Sequence, residues 1–203
     1  MRRLAIAAAL ITLAVGPALA QAPPAGTPTR IRGTVDKLDG QTLMVKSREG
    51  PVLTIALAPN FTVLGVVKKR LSDIKAGEYV GAASIKGSDG KLHAIEVLIF
   101  PEAMKGTGEG EHPWDLVGDS VMTNATVSGI AKAPDGQVLK VSYKGGESEV
   151  VVPPTAPVVT FGPGDAKLLK RGATVFLGAL KAPDGSLTAP RVIAEKNGVK
   201  PPM

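Results

Sequence analysis

Asp39-Gly40, Asp89-Gly90, Asp135-Gly136 and Asp184-Gly185 each stand between alternating apolar runs. Asp-Gly in that setting predicts a β-hairpin, because a type I′ turn needs positive φ at both central residues. The spacing of these pairs constrains the fold most. Asp39 to Asp135 is 96 positions, and Asp89 to Asp184 is 95. On the same offset Gly33 matches Gly129, Gly40-Gln41 matches Gly136-Gln137, Pro59 matches Pro154, and Gly77 with Val80 matches Gly172 with Val175. Landmarks kept in register over such a length mark an internal duplication.

Each copy reads as the same series of elements. In the first, strands are predicted over Arg30–Lys37, Gln41–Ser47 and Val52–Leu57, the last broken by Ala58-Pro59-Asn60, since Pro cannot donate to a ladder. Phe61–Val66 is a short extended apolar segment, Leu71–Ile74 one helical turn, and Glu78–Lys86 with Leu92–Phe100 a hairpin. The second copy gives strands over Thr123–Ala131, Val138–Tyr143, Ser148–Val152, Thr174–Leu180 and Leu187–Glu195, with a helical turn near Ala166–Leu169. Three strands, a short helical connection and two more strands is the order of an OB-type barrel. The fold class expected is all-β: two tandem OB-like small β-barrels related by internal duplication, each with one short helical turn. Closing each sheet removes exposed edges, and alternation along the strands buries one face of each.

Arg32-Gly33-Thr34-Val35, Ala76-Gly77-Glu78-Tyr79-Val80 and Asp89–Ala94 carry a resemblance to an uncharacterised family of secreted bacterial β-barrel domains related to the OB fold. The connector Gly106–Asn124 resembles that of small exported proteobacterial proteins holding two such domains, some of which carry a loose metal-transport label. The resemblance covers nearly all of the chain after its first twenty residues. It implies fold and export, and it brings no catalytic motif.

The N-terminus begins with Met1-Arg2-Arg3, continues through the apolar run Leu4–Val15, and reaches small residues at Ala18 and Ala20. That is the pattern of a cleavable secretory signal peptide, cut after Ala20, and it places the protein in the periplasm or outside the cell. No Cys follows to take a lipid, and no later stretch approaches a membrane span. The chain has no Cys, hence no disulfide or thiolate chemistry. Removing Arg2 and Arg3 lowers the formal charge from +6 to +4, a mild excess. The expected organisation is signal peptide 1–20, flexible Pro-rich leader 21–28, first barrel 29–100, connector 101–120, second barrel 121–196 and a fraying tail 197–203.

The connector holds the only Trp, Trp114, and one of the two His, His112. It reads as neither helix nor strand. Trp114 and Leu116 suit docking in the groove between the barrels, which fixes their angle and buries a large apolar surface. An exposed Trp114 would instead serve recognition. The candidate binding residues are Trp114, His112, Asp115, Met104, Glu109 and Glu111. Of these, His112, Asp115 and Glu111 form a possible Zn or Cu set, which Met104 would bias towards Cu⁺. Surface chelation without a dedicated site is the plainer reading, and no cofactor is expected. His93, at a strand start, reads as a partly exposed strand-end His.

Other chemistries find little support. Gly106-Thr107-Gly108-Glu109-Gly110 lacks the Lys-Ser/Thr of a phosphate loop, and Glu109 and Glu111 would repel phosphate. Ser120, His112 and Asp115 lie too close on one loop to preorganise a hydrolytic site. Nucleic-acid binding wants a basic groove with stacking aromatics. Aromatics make up only 3% of this chain and are scattered. Lys68-Lys69-Arg70 reads as a solvated loop. The function expected is therefore that of an exported, non-catalytic binding or scaffold protein contacting a protein or envelope polymer near the inter-barrel groove. A metal-handling accessory is the alternative, and an envelope polysaccharide-processing enzyme a third.

Overall fold

A computed structural model describes residues 26–134 and 136–201. Twelve strands follow in order: β1 (Thr27–Asp39), β2 (Thr42–Ser47), β3 (Val52–Lys69), β4 (Tyr79–Lys86), β5 (Leu92–Ile99), β6 (Gly110–Pro113), β7 (Val121–Ala133), β8 (Gly136–Tyr143), β9 (Gly146–Val152), β10 (Val158–Pro163), β11 (Thr174–Lys181) and β12 (Leu187–Ala194). Three short 3₁₀ turns lie at Leu71–Asp73, Glu102–Met104 and Ala166–Leu168. The protein is all-β, and no described helix is long and apolar enough to cross a membrane. The proposed signal peptide lies outside the described residues.

The strands close into rings. β1 pairs with β2, β2 with β3, β3 in parallel with β12, β12 with β11, and β11 with β1, giving a closed five-stranded barrel. A second ring of pairings runs β4–β5, β5–β9 in parallel, β9–β8, β8–β7 and β7–β4. The second ring is drawn from the single stretch 79–152, whereas the first joins 27–69 to 174–194. The first core packs Ile31, Val35, Leu43 and Ile55 against Val175, Leu177 and Val192. The second packs Val80, Ala82 and Val97 against Ala125, Leu139 and Val150. The division expected between residues 29–100 and 121–196 therefore does not separate two self-contained barrels. Each half supplies three strands to one ring and its final hairpin to the other.

β3 explains the exchange. It runs 18 residues, through Pro59, and carries the chain out of the first ring. Pro59 was expected to break it. It survives because β3 pairs with β2 over Val52–Ala56, with β12 over Ile55–Leu57 and Thr62–Gly65, and with β10 from Leu64 onward. Residues 58–61 have no ladder partner, so the missing N–H costs nothing. Beyond them β3 meets β10 antiparallel, with Val66 opposite Phe161. These two residues are 95 positions apart, the offset that separates the matching landmarks of the sequence. β10 also pairs with β5 in parallel, so β12, β3, β10 and β5 form a bridge shared by both rings. β10 was not foreseen from the sequence, and Lys68 and Lys69 lie inside β3, not in a loop.

The turns differ in type from expectation. Asp39 still pairs with Thr42, and the turn is Gly40-Gln41 with positive φ at Gly40. Glycine at the first turn position is the II′ arrangement. In the β4–β5 and β11–β12 hairpins Gly90 and Gly185 take positive φ, while Asp89 and Asp184 accept hydrogen bonds from the Lys91 and Ser186 amides at 3.0 and 2.9 Å. Asp135 lies outside the described residues. The leader is ordered from Thr27, which pairs with Lys181. The tail does not fray at Asn197. Asn197 and Gly198 both take positive φ, Lys196 bridges Val199, and Pro201 is buried.

Candidate functional site

The connector is structured, contrary to the sequence reading. After the 3₁₀ turn its backbone reaches β6, which pairs with β7 so that His112 stands opposite Met122. Asn124 Nδ2 donates to the carbonyls of Thr107 and Gly108 at 3.2 and 3.1 Å, and the Tyr79 hydroxyl donates to Thr107 O at 3.2 Å. Burial, with the charge of Glu109, pushes the Tyr79 phenol up to about 12, so it remains a donor. The following loop closes on Ser120. Trp114 N donates to Ser120 O at 2.7 Å, and the Ser120 hydroxyl bonds the carbonyls of Trp114 and Val117 at 3.0 and 2.7 Å.

Arginines from the first barrel hold this loop. Arg48 donates to the carbonyls of Leu116 and Asp115 at 3.1 and 2.9 Å. Arg32, 2% exposed, donates from Nη1 to Asp115 Oδ2 at 2.8 Å, and Arg30 lies 3.8 Å from Oδ1. The guanidiniums of Arg30 and Arg32 stand 4.1 and 5.2 Å from the Trp114 ring, and that of Arg32 stands 5.0 Å from Phe176. Cation–π attraction at these distances partly offsets the desolvation of Arg32, whose Nε and Nη2 have no hydrogen-bond partner. Burial alone would raise the Asp115 carboxyl. The Arg32 hydrogen bond and the charges of both arginines outweigh it and hold the carboxyl below its usual range.

Beneath the loop lies a cavity of about 420 Å³, floored by the bridge and walled by both rings. β5 presents Glu96 and Leu98, with Phe100 directly after it; β10 presents Phe161; β12 presents Arg191 and Ile193; β11 presents Phe176; β7 presents Met122 and Asn124; and the connector adds Met104, Thr107 and Trp114. The volume suits a small organic ligand. Glu96 is only 7% exposed, and no hydrogen bond supports its carboxyl. Burial raises it to about 7, against a partial lowering by the Arg32 charge. Its counterpart on the repeat offset is Arg191, so the duplicated position carries opposite charges.

The sequence-predicted site residues do not act as one set. Trp114 and Met104 line the cavity. Asp115 turns to the arginines. Glu109 accepts from the Lys144 amide at 3.1 Å, and Glu111 accepts from Thr123 and Ser148 hydroxyls at 3.2 and 3.0 Å. The geometry therefore separates the acids that His112 would need, and among the described residues no three His, Asp or Glu side chains converge as a metal site. His93 is half-exposed and bonds Asp89 at 3.0 Å. Glu96, Phe161 and Phe176 were missed. The one available signal was Glu96 itself, an acid inside the apolar run Leu92–Phe100.

No protein-family model, no curated protein and no solved structure matches this chain.

Proposed function

We propose that this chain is an exported, non-catalytic binding protein of the cell envelope, with its ligand seat in the groove between the two barrels. The observation that carries this reading is the aromatic-walled cavity floored by the bridge and edged by the connector. Trp114 serves the site as a wall, held by Arg30, Arg32 and Asp115, which supports pre-organised recognition. The reading keeps the OB-like assignment for each ring. The order first, second, third, fifth, fourth strand, closing on the first, with the third and fifth parallel, supports it. So does the 3₁₀ turn between the third and fourth strands. In this reading the last two strands are exchanged between the repeats. Fold alone does not assign a ligand, and the separated acids give no support to the metal-handling alternative.

Native mass spectrometry of the protein recovered from the cell envelope tests the reading. A small molecule carried by the wild type and lost from Leu98→Trp, which fills the cavity, is the expected result. Retention of the same molecule in Leu98→Trp would place binding elsewhere.

A further inference from the structure

Aromatic residues are rare in this chain, seven in all, yet four of them, Phe100, Trp114, Phe161 and Phe176, wall this one cavity. The two ring cores are built from Val, Leu, Ile and Ala; Phe161 and Phe176 instead rest on a third cluster of Val66, Val159 and Ile193, are only partly buried there, and turn their remaining surface to the cavity. These rings come from the residue after β5, the connector, β10 and β11, so four separate segments converge to make the wall. Aromatic faces carry negative potential and attract cations, most strongly when the cation is desolvated.

Glu96 supplies the second, independent observation. The residue is more than nine-tenths buried and lines the cavity, and among the described residues no side chain or amide hydrogen-bonds its carboxyl, whose remaining exposure is to the cavity side. A carboxyl largely withdrawn from water with no protein partner is costly to ionise, and a group of opposite charge entering the cavity would lower that cost. The charged groups facing Glu96 do not supply it. Arg32 of β1 is engaged by Asp115 at 2.8 Å. Arg191 of β12 is exposed, and its Nε bonds the Thr62 hydroxyl at 3.3 Å. Lys68 of β3 and Lys200 of the tail share a neighbouring recess with Glu96, and both are exposed without an ion pair to it.

We infer that the cavity takes an apolar organic cation, an amine or quaternary ammonium compound with a short apolar body, and that Glu96 is its counter-ion. This rests on the binding reading above and names the ligand class for the same site. Asp115, held low by the arginines, stays ionised across the neutral range. Glu96, which lines the cavity and is raised to about 7, changes charge in that range, and cation binding below it must release its proton. Affinity for a permanent cation then rises with pH and levels off once Glu96 is ionised.

Three matched probes test this: hexyltrimethylammonium, hexanol and hexanoate, titrated into the full protein at about pH 5.5 and about pH 8.5, with binding read by calorimetry and by the fluorescence of Trp114. The expected result is that the ammonium probe binds more tightly than hexanol at the higher pH. Its affinity should rise by about 30-fold between the two conditions, from the change in ionised Glu96, while hexanol shows no such dependence. Glu96→Gln should keep hexanol binding and abolish the pH dependence for the ammonium probe. An ammonium probe that binds no better than hexanol, or whose affinity ignores pH, would overturn the cation assignment while leaving the cavity a binding site. Hexanoate tightening as pH falls, with the ammonium probe flat, would overturn it in favour of an anionic ligand. Failure of all three probes would overturn the binding reading together with this one.

Discussion

Arg32 of β1 and Asp115 of the connector lie 83 positions apart and meet at 2.8 Å, with Arg32 buried and Asp115 half-exposed. This pair ties the loop bearing Trp114 to the first barrel. Removing the acid strands a buried guanidinium, whereas the acid can return to water when Arg32 is removed. Asp115→Ala should therefore destabilise the protein by about 1–3 kcal/mol, the lower part of the buried-pair range because one partner is half in solvent. Urea denaturation at neutral pH measures this, and Trp114 emission should shift to the red as the loop loosens.

Glu96 and Asp115 have opposite pH signatures. The Asp115 carboxyl is held below its ordinary value. Its contribution is present above the ordinary carboxylate range and is lost as pH falls through its folded value. Glu96 is raised from 4.5 to about 7. The folded state keeps its proton longer than the unfolded one, so the associated stability is full below about 4.5 and disappears as pH rises to about 7. The Glu96→Gln variant should match the wild type below about pH 4.5, diverge from it through mild acid, and exceed it by roughly 2–4 kcal/mol above neutrality. Denaturation midpoints across the pH range check this; a constant difference between the two proteins would contradict it.

The exchange of hairpins predicts that neither half folds alone as a monomer. A fragment ending before the connector contains β1–β5, of which three strands belong to one ring and two to the other. It should lack a cooperative monomeric transition, and mixing it with the complementary fragment should restore one. Circular dichroism and size-exclusion chromatography of the separate and mixed fragments give the readout.

Gly33 and Gly129 are repeat counterparts with different surroundings. A Cβ on Gly33 would collide with the Lys46 carbonyl and crowd Val45, whereas one on Gly129 would meet only the Lys140 side chain at ordinary contact distance, 3.7 Å. Gly33→Ala should cost about 2–4 kcal/mol, because the clash is with backbone and the ladder has to shift. Gly129→Ala should change stability by less than about 1 kcal/mol. Thermal unfolding of the two variants compares them directly.

The alternation of apolar residues and the repeat offset made the all-β class, most strands and both 3₁₀ turns of the repeats legible, because those depend on local pattern. The exchange between halves was not legible. A swapped and an unswapped pair of rings bury the same faces of the same strands, so Ile31 and Val175 read identically in either. Pro59 misled because its meaning depends on whether a neighbour pairs there, which is a tertiary fact. Trp114 stood out by composition, but its neighbours Arg30 and Arg32 did not, since a strand pattern gives no sign of which outward residues a distant loop will cover. Phe161 and Phe176 looked scattered along the chain and gather only when the bridge forms. Val66 facing Phe161 joins β3 to β10 and so brings Phe161 to the cavity.

The central claim is that the inter-barrel cavity is the ligand seat, and NMR titration with hexanol, a neutral probe independent of Glu96, tests it most directly. The account predicts saturable shifts concentrated at the amides of Leu98, Phe100, Phe161, Phe176 and Ile193 and at the Trp114 indole, with the barrel interiors around Leu43 and Leu139 unmoved. Shifts spread over the surface, or confined to the barrel interiors, would contradict it.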